Sequence, residues 1–403
     1  MKQYLFYQHN VQQFFIAHLG KYQGVVVPLS IATSFPDGTH GFLRALLAKD
    51  SSKEFMIDPR TPLFQKHWDR KSIRPPHEKM AGVSGAVVKE GLKSPIAEAS
   101  LTLEALTNAT QATIAYQRSF RYQGKDQKKL DKYKALMGGG ELPEITNPQL
   151  LLPPYFEFSA PGDPWFSATI NCTSIACGLE GVLPQNVRPI LHFREFDFED
   201  WSQATEKLAA LKIKTVFLYP NDFHELEASP EVLARYTSAI KQFSAAGLLP
   251  FALHGGYFAV CMSKVGLMGF GNGVGYGEWR DSGYHRGGTA EKRIYIPKLH
   301  RFLEPAKAQA LLDTAPDYFG EDSDLLAECV ESNRPLNSIL LAEALDHFME
   351  CRSAELQFVA NSDIAAIEQR LSDTQKVLKE KSGLIGQEVG KHLGAWREAL
   401  ATW

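Results

Sequence analysis

Residues 188–256 read RPILHFREFDFEDWSQATEKLAALKIKTVFLYPNDFHELEASPEVLARYTSAIKQFSAAGLLPFALHGG, and this stretch decides the fold. It contains three apolar runs of strand length, at 188–196, 214–222 and 248–256, and each run ends in polar residues. Helical patterns cover 200–212 and 229–247; the second has Ser229-Pro230 at its start and Gly247 at its end, which are typical helix boundaries. Strands that alternate with helices of this length are expected to pair in parallel.

The same alternation extends in both directions from this stretch. Apolar runs predict further strands at 24–32, 53–59, 153–159, 267–274 and 293–299, and helices are predicted at 39–49 and 99–120. Eight strands fit an α/β fold of the (β/α)8 TIM-like barrel type. An open doubly wound sheet is the alternative, but no GxGxxG turn follows the first predicted strand.

The predicted domain organisation follows from this pattern. Residues 1–305 are expected to form the barrel domain, with 65–95 as a long βα loop that is a candidate lid because long loops are often functional. Residues 306–403 are expected to form a helical C-terminal extension that packs on the barrel.

Composition excludes several classes of protein. The net charge of −3 provides no overall basic field, so a nucleic acid would need a local basic patch. The five cysteines form no CxxC pair, which argues against a disulfide framework and favours a cytoplasmic location. No signal peptide or membrane span is expected from the apolar runs. We also expect no cofactor and no bound metal.

In a barrel, the active site lies at the carboxyl ends of the strands. Polar residues of catalytic type follow the predicted strands there: Asp58, Arg60, Glu157, His192, Arg194, Asn221, Asp222, His254, Glu278, Arg280 and Asp281. Asp58 and Asp222 suit a nucleophile or general base, or each forms an Asx turn. His254 is an acid or base, or a histidine hydrogen-bonded inside the top of the barrel.

The segment 254–288 is rich in glycine. It holds eleven of the 31 glycines, among them Gly255, Gly256, Gly271, Gly273 and Gly275, which would let a ligand approach the backbone. Arg280 and Arg286 would add charge for a phosphate, and Glu278 or Asp281 would be the reacting carboxylate. The alternative is a glycine-laced strand that admits bulky neighbours, with Arg280 and Asp281 in a structural ion pair.

The order of motifs resembles the tRNA-guanine transglycosylase superfamily, including its relatives that exchange bases in DNA. The resemblance rests on VVVPLSIATSFPDGTHGFLRALL (25–47), FMIDPRTPLF (55–64), HGGYFAV (254–260), LMGFGNGVG (267–275) and LDHFMECRSAELQFVANSDIAAIEQRLSD (345–373). It implies that His347 matches a zinc-binding histidine of the family and that the nucleophile falls on Glu278 or Asp281. The family's CxCxxC cysteines and its Asp-Ser-Gly-Gly segment are absent, so no structural zinc is expected.

Three functions follow as hypotheses. The first is a TIM-barrel enzyme that acts on a nucleoside, nucleotide or nucleic-acid base through transglycosylase-like base exchange, with carboxylate catalysis and with Arg60, Arg280 and the glycines holding the substrate. The second is a catalytically inactive barrel that serves as a binding or scaffold subunit with protein partners in a larger assembly. The third is a metal-dependent barrel hydrolase, which ranks last because no HxH ligand pattern is present.

Overall fold

A computed structural model of the protein describes residues 1–66, 75–120, 127–136, 139, 148, 150–194, 196, 198–275, 278 and 292–403. Its core is an eight-stranded parallel sheet, curled into a TIM-like barrel as the sequence predicts. The strands are β1 (Lys2–Phe6), β2 (Gly24–Pro28), β3 (Glu54–Asp58), β4 (Glu157–Phe158), β5 (Ile190–Phe193), β6 (Thr215–Pro220), β7 (Leu249–Ala252) and β8 (Gly269–Asn272). Their order across the sheet is β3-β2-β1-β8-β7-β6-β5-β4.

Helices surround the sheet and form most of the C-terminal region. They are α1 (Gln12–Ala17), α2 (Leu29–Ser34), α3 (Pro36–Lys49), α4 (Pro75–Val83), α5 (Ala86–Glu90), α6 (Leu103–Arg118), α7 (Gln127–Leu136), α8 (Pro164–Gly178), α9 (Ser202–Ala210), α10 (Pro230–Ala245), α11 (Tyr257–Cys261), α12 (Pro305–Thr314), α13 (Pro316–Gly320), α14 (Asp324–Glu331), α15 (Leu341–Asn361), α16 (Ile364–Lys381), α17 (Gly383–Val389) and α18 (Lys391–Leu400). Within the described residues, none of these helices is long and apolar enough to cross a membrane.

The first strand of the chain, which lies inside the sheet, is one that the sequence analysis missed. β1 pairs with β2 on one side and β8 on the other, so it joins the first and last parts of the barrel. The strand begins with the polar residues Lys2 and Gln3, so it has no long apolar run to mark it. The prediction of a barrel strand at 293–299 is wrong: β9 (Ile294–Ile296) pairs antiparallel with β10 (Arg301–Leu303) in a separate two-stranded sheet.

Some predicted boundaries and loops also need correction. The strand predicted at 24–32 ends at Pro28, and α2 begins at the next residue. The predicted loop 65–95 contains α4 and α5. By contrast, the Ser229 hydroxyl accepts a hydrogen bond from the Val232 amide, and Gly247 has a positive φ after α10, as the sequence predicts.

Side chains join the two ends of the curled sheet. In the described part of the chain, β3 and β4 have no strand partner on their outer sides. The Thr61 hydroxyl, just beyond β3, accepts a hydrogen bond from the Tyr155 amide at 2.9 Å and donates one to the Tyr155 carbonyl. The Gln65 side chain accepts from the Glu157 amide at 2.6 Å and donates to its carbonyl at 3.0 Å. These side chains take the place of a backbone ladder at the seam.

The interior of the barrel is packed with side chains from both sides of this seam. The cluster contains Tyr4, Phe6, Val26, Met56, Leu150, Leu152, Tyr155, Ile190, Phe217, Tyr219, Phe251 and Leu253. Residues near β3 and β4 therefore share one apolar core although no backbone ladder connects them.

A first prediction tests the seam. Replacing Thr61 with Val keeps the shape but leaves the buried Tyr155 amide and carbonyl without this partner, so we expect the free energy of unfolding to fall by about 1–3 kcal/mol. Chemical denaturation measures the change. In the control T107V, the exposed hydroxyl donates to the Leu103 carbonyl one turn earlier in α6, and the loss should stay below about 0.5 kcal/mol. Equal losses in both variants would contradict the role of Thr61 at the seam.

Candidate functional site

Asp58 and Tyr155 meet at the carboxyl end of the barrel. Asp58 is the last residue of β3, and its carboxylate accepts hydrogen bonds from the Tyr155 hydroxyl at 2.9 Å and the Arg60 amide at 3.0 Å. The second of these is the Asx turn that the sequence allowed as an alternative. The Arg60 guanidinium lies 3.4 Å from the other carboxylate oxygen, and Arg60 itself adopts a left-handed backbone, with a φ of 49°. Strained residues of this kind cluster at functional sites.

His254 lies at the same end of the barrel, two residues beyond β7. We call this end, around Asp58, Tyr155 and His254, the mouth of the barrel. Its ring stacks on Phe6 with centroids 4.4 Å apart and lies 5.0 Å from the ring of Tyr219. A cavity of about 20 Å³ is lined by Asp58, Arg60, Pro62, Leu63, Tyr155, Tyr219 and His254. A space of that size holds about one water molecule, so the mouth is closed to a larger ligand in this conformation.

A second carboxylate stands beside this mouth. Glu157 contacts Arg194 at 2.8 Å, Lys66 at 3.2 Å and the buried ring of His192 at 3.5 Å. Burial acts to raise the pKa of Glu157, but the hydrogen bonds and charges of these three partners outweigh it and hold the pKa well below its usual value. Glu157 is therefore a charged residue within a network of cations and is not poised to accept a proton.

A separate cluster places the carboxyl groups of Glu225, Glu278 and Glu355 around one buried guanidinium. Arg352, on α15, is fully buried and contacts both Glu278 and Glu355, the latter at 3.1 Å. Glu355 also accepts hydrogen bonds from the Tyr295 hydroxyl at 2.8 Å and from His300 at 2.6 Å. Because a buried charge is costly unless it is paired, these bonds fix α15 against the β9–β10 hairpin.

Gly256 is the point where two of the three acids approach each other. The Glu225 carboxylate accepts hydrogen bonds from the amides of Gly256, Phe258 and Ala259 at 2.9–3.1 Å. A Cβ at position 256 would lie 2.7 Å from a Glu278 oxygen and 2.9 Å from a Glu225 oxygen. The missing side chain therefore makes room for two carboxyl groups of the protein itself.

The acid cluster holds protons at neutral pH. Burial raises the pKa of Glu278 to about 8 against the opposing charge of Arg352, and it raises the pKa of Glu225 to about 7 against the hydrogen bond from the Gly256 amide and the charge of Arg352. Burial also acts to raise the pKa of Glu355, but Arg352 and its hydrogen bonds lower it overall. Arg352 and Glu355 thus form the charged pair, and Glu278 is predominantly a neutral carboxylic acid at pH 7.

The other predicted site residues occupy different places. Asp222 is exposed beyond β6 and lines a separate cavity of about 290 Å³ with Asn221 and Arg194, so the structure does not bring it to the cavity of Asp58. Gly271 lies in β8, where a Cβ would meet the Leu253 carbonyl at 2.4 Å. The Gly255 amide donates to the Gly271 carbonyl, the Gly273 carbonyl accepts from Asn272, and Gly275 packs on Leu345. Arg280, Asp281 and Arg286 lie outside the described residues.

Sequence reasoning missed the centre of the buried cluster. Glu225 lies five residues beyond β6, so the search of strand ends could have been extended to include it. Nothing in the amphipathic pattern of α15 distinguishes Arg352 and Glu355 from a solvent-exposed i,i+3 ion pair.

His347, which the family resemblance matches to a zinc ligand, contacts Ser323, Cys351 and the Tyr295 carbonyl. No group of three metal-ligating side chains occurs in the described part of the chain, and the expectation of no zinc stays a prediction.

A second prediction concerns Gly256. In G256A, the new methyl group would collide with Glu225 and Glu278, so we expect the free energy of unfolding to fall by about 1–3 kcal/mol. Denaturant titration provides the measurement. The control G178A adds a methyl group where no atom lies within 4 Å and should change stability by less than about 1 kcal/mol. A wild-type stability for G256A would show that the two carboxyl groups move apart freely.

A third prediction concerns pH. The ordinary pKa of a glutamate is 4.5, and folding raises that of Glu278 to about 8, so the folded protein retains a proton that the unfolded chain releases. Stability should therefore be highest below pH 4.5 as far as this group is concerned, and fall as pH rises towards 8, by up to about 1.4 kcal/mol per pH unit. Denaturation at pH 6 and pH 8.5 checks this.

The variant E278Q sharpens the pH test. Gln imitates the protonated acid and has no proton to release on unfolding, so E278Q should already be more stable than the wild type at pH 6, exceed it by more at pH 8.5 and show a shallower dependence between these two pH values. E206Q, which replaces an exposed acid on α9, should keep the wild-type pH profile. An unchanged slope in E278Q would contradict the retained proton.

Comparisons with protein-family models, curated proteins and solved structures gave no match to this chain. The resemblance to the transglycosylase superfamily therefore remains a hypothesis drawn from the sequence.

Proposed function

We propose that the protein is a barrel enzyme that acts on a nucleoside, nucleotide or nucleic-acid base by transglycosylase-like exchange at an N-glycosidic bond, with Asp58 and His254 as the reacting side chains. The observation that carries the proposal is their shared cavity at the carboxyl end of the barrel. The aromatic rings of Tyr155 and Tyr219 line this cavity and offer flat surfaces to a planar base.

The chemistry assigns a distinct role to each residue. The Asp58 carboxylate attacks the anomeric carbon as the bond to the base breaks, and it forms a glycosyl ester. His254 gives a proton to the departing base and later takes one from the incoming base, whose nitrogen displaces Asp58. The Tyr155 hydroxyl holds Asp58 in place; burial and the charge of Asp58 raise the pKa of Tyr155 well above its usual value, so it stays a donor.

Substrate entry requires a local opening of the mouth. The cavity of about 20 Å³ is bounded by Pro62 and Leu63 in the 3-10 helix Thr61–Gln65, and by Arg60. A base would have to displace these groups, and the left-handed backbone of Arg60 marks the place where the segment turns. Closure over a bound substrate would exclude water and favour exchange over hydrolysis.

The closed mouth also supports the second candidate function, a catalytically inactive barrel that serves as a scaffold subunit. Both acids at the mouth, Asp58 and Glu157, already contact cationic side chains, and no cavity lined by Asp58 is large enough for a base within the described residues. A scaffold of this kind would neither bind nor exchange bases.

A fourth prediction separates the two candidates. Wild-type protein is incubated with isotope-labelled free purine and pyrimidine bases together with nucleosides, RNA or DNA, and incorporation is followed by mass spectrometry. We expect incorporation by the wild type, a loss of about 10³-fold or more in D58N, and a loss of about 10²-fold or more in H254Q.

The matched control for D58N is D200N. Asp200 accepts the same type of turn hydrogen bond, from Ser202 at 2.8 Å, but lies far along the chain from the mouth and does not line its cavity. D200N should therefore retain wild-type activity. The absence of incorporation with every base and acceptor would reject the enzyme in favour of the scaffold, and full activity in D58N would reject Asp58 as the nucleophile.

A further inference from the structure

A series of ring contacts crosses the mouth of the barrel. The His192 ring, on β5, stacks on the Tyr219 ring of β6 with centroids 4.1 Å apart. Tyr219 in turn lies 5.0 Å from the ring of His254, and His254 stacks on Phe6 at 4.4 Å. The series therefore connects His192, a strand-end residue without a part in the proposed reaction, to His254.

The register of the strands brings these side chains together. His192 is aligned with Glu157 of β4 on one side and with Tyr219 of β6 on the other. Aligned residues of neighbouring parallel strands point to the same face of the sheet. Ile190 and Tyr219 belong to the cluster that fills the barrel interior, so His192, two residues after Ile190, points to the interior as well.

Both ring nitrogens of His192 have a partner, and the side chain is fully buried. Nδ1 lies 2.9 Å from the Tyr219 carbonyl oxygen. Because a carbonyl oxygen only accepts hydrogen bonds, Nδ1 carries the hydrogen and donates it. Nε2 lies 3.5 Å from a carboxylate oxygen of Glu157. The ring therefore cannot turn without losing its contact with the backbone of β6.

Glu157 holds the other side of the His192 ring. Burial acts to raise the pKa of Glu157, and the hydrogen bond with His192 is the largest of the causes that lower it overall, so the carboxyl group stays charged. The Glu157 backbone is itself fixed, because its amide and carbonyl both bond to the Gln65 side chain at the seam. His192 is thus fixed between an anchored acid and the backbone of Tyr219.

We propose that His192 is a positioning residue that holds the Tyr219 ring against His254, through its hydrogen bond to the Tyr219 carbonyl and its stack on the Tyr219 ring. The inference rests on the proposed function, in which Tyr219 lines the base site and His254 transfers the proton. His192 does not line the cavity of the mouth, so it acts through Tyr219. A reacting group must stay close to its productive geometry, and a loosened Tyr219 ring would misplace His254.

The first test observes the carbon-bound ring protons of His254 by NMR in the full-length protein, with H254Q to assign the signals. Neighbouring aromatic rings shift these signals, so they report where the Tyr219 ring lies. In H192Q, the amide nitrogen replaces Nε2, the bond to the Tyr219 carbonyl is lost, and the His254 signals should shift. In H192N, the amide nitrogen replaces Nδ1 and keeps this bond, so the shift should be smaller.

The second test is the base-exchange assay. H192Q should lower kcat/KM about tenfold, because His254 is misplaced although every reacting side chain is present. H192N should recover most of this loss. A residue that only stabilised the fold would give no such difference between the two amides, because both variants remove the buried ring.

The matched control is H392N. His392, on α18, is also buried, and its Nε2 donates to the Leu299 carbonyl at 2.9 Å, but it does not line the cavity of the mouth. H392N loses that bond and should leave the His254 signals and kcat/KM unchanged. Circular dichroism melting shows whether each variant keeps its fold. Should H192Q unfold, H192F replaces it: its ring fills the same space and donates no hydrogen bond, so the His254 signals should again shift.

Three results would overturn the proposal. They are unchanged His254 signals in H192Q, or in H192F where it replaces H192Q; equal shifts in H192N and H192Q; and an equal shift in H392N. A wild type that exchanges no base would reject the proposed function, and the NMR comparison would still decide whether His192 holds Tyr219 against His254.

Discussion

The burial of Arg352 is the constraint around which the C-terminal half of the molecule is organised. Its guanidinium is fully buried, and it joins α15 to Glu278 in the segment after β8 and to Glu355 on its own helix. Through Glu355, the network reaches Tyr295 and His300 in the β9–β10 hairpin. A charge at this depth must keep its partners, because breaking one contact would leave an uncompensated charge in an apolar medium.

The acids near Arg352 also explain why position 256 is a glycine. Because Gly256 has no side chain, the carboxyl groups of Glu225 and Glu278 both fit beside it. Glu225 also accepts hydrogen bonds from three amides at the start of α11. The Trp396 indole on α18 donates to the Glu225 carbonyl at 2.9 Å, so the last helix is tied to the same loop. His254 lies two residues before Gly256. The contacts that Glu225 makes with Gly256 and Trp396 therefore connect the backbone near His254 to the last helix.

The charges near Asp58 are balanced within the site itself. At the mouth, each acid faces a cation, and the aromatic rings leave room for about one water molecule. This arrangement suits a reacting group that is kept dry until a substrate displaces its cover.

The sequence by itself determined the parallel α/β alternation, most of the strands, the capped helix α10 and the polar residues at the carboxyl ends of the strands. These features are local, because periodic burial and cap chemistry are written within a few residues. Only the tertiary structure decided that β1 lies inside the sheet, between β2 and β8, and that 294–296 lies outside the sheet. It also decided that Asp58 and His254 share a cavity without Asp222, and that Arg352 is buried among three acids. These contacts depend on which segments, distant in sequence, pack together. The sequence around a charged residue is the same whether that residue faces water or a buried carboxyl group.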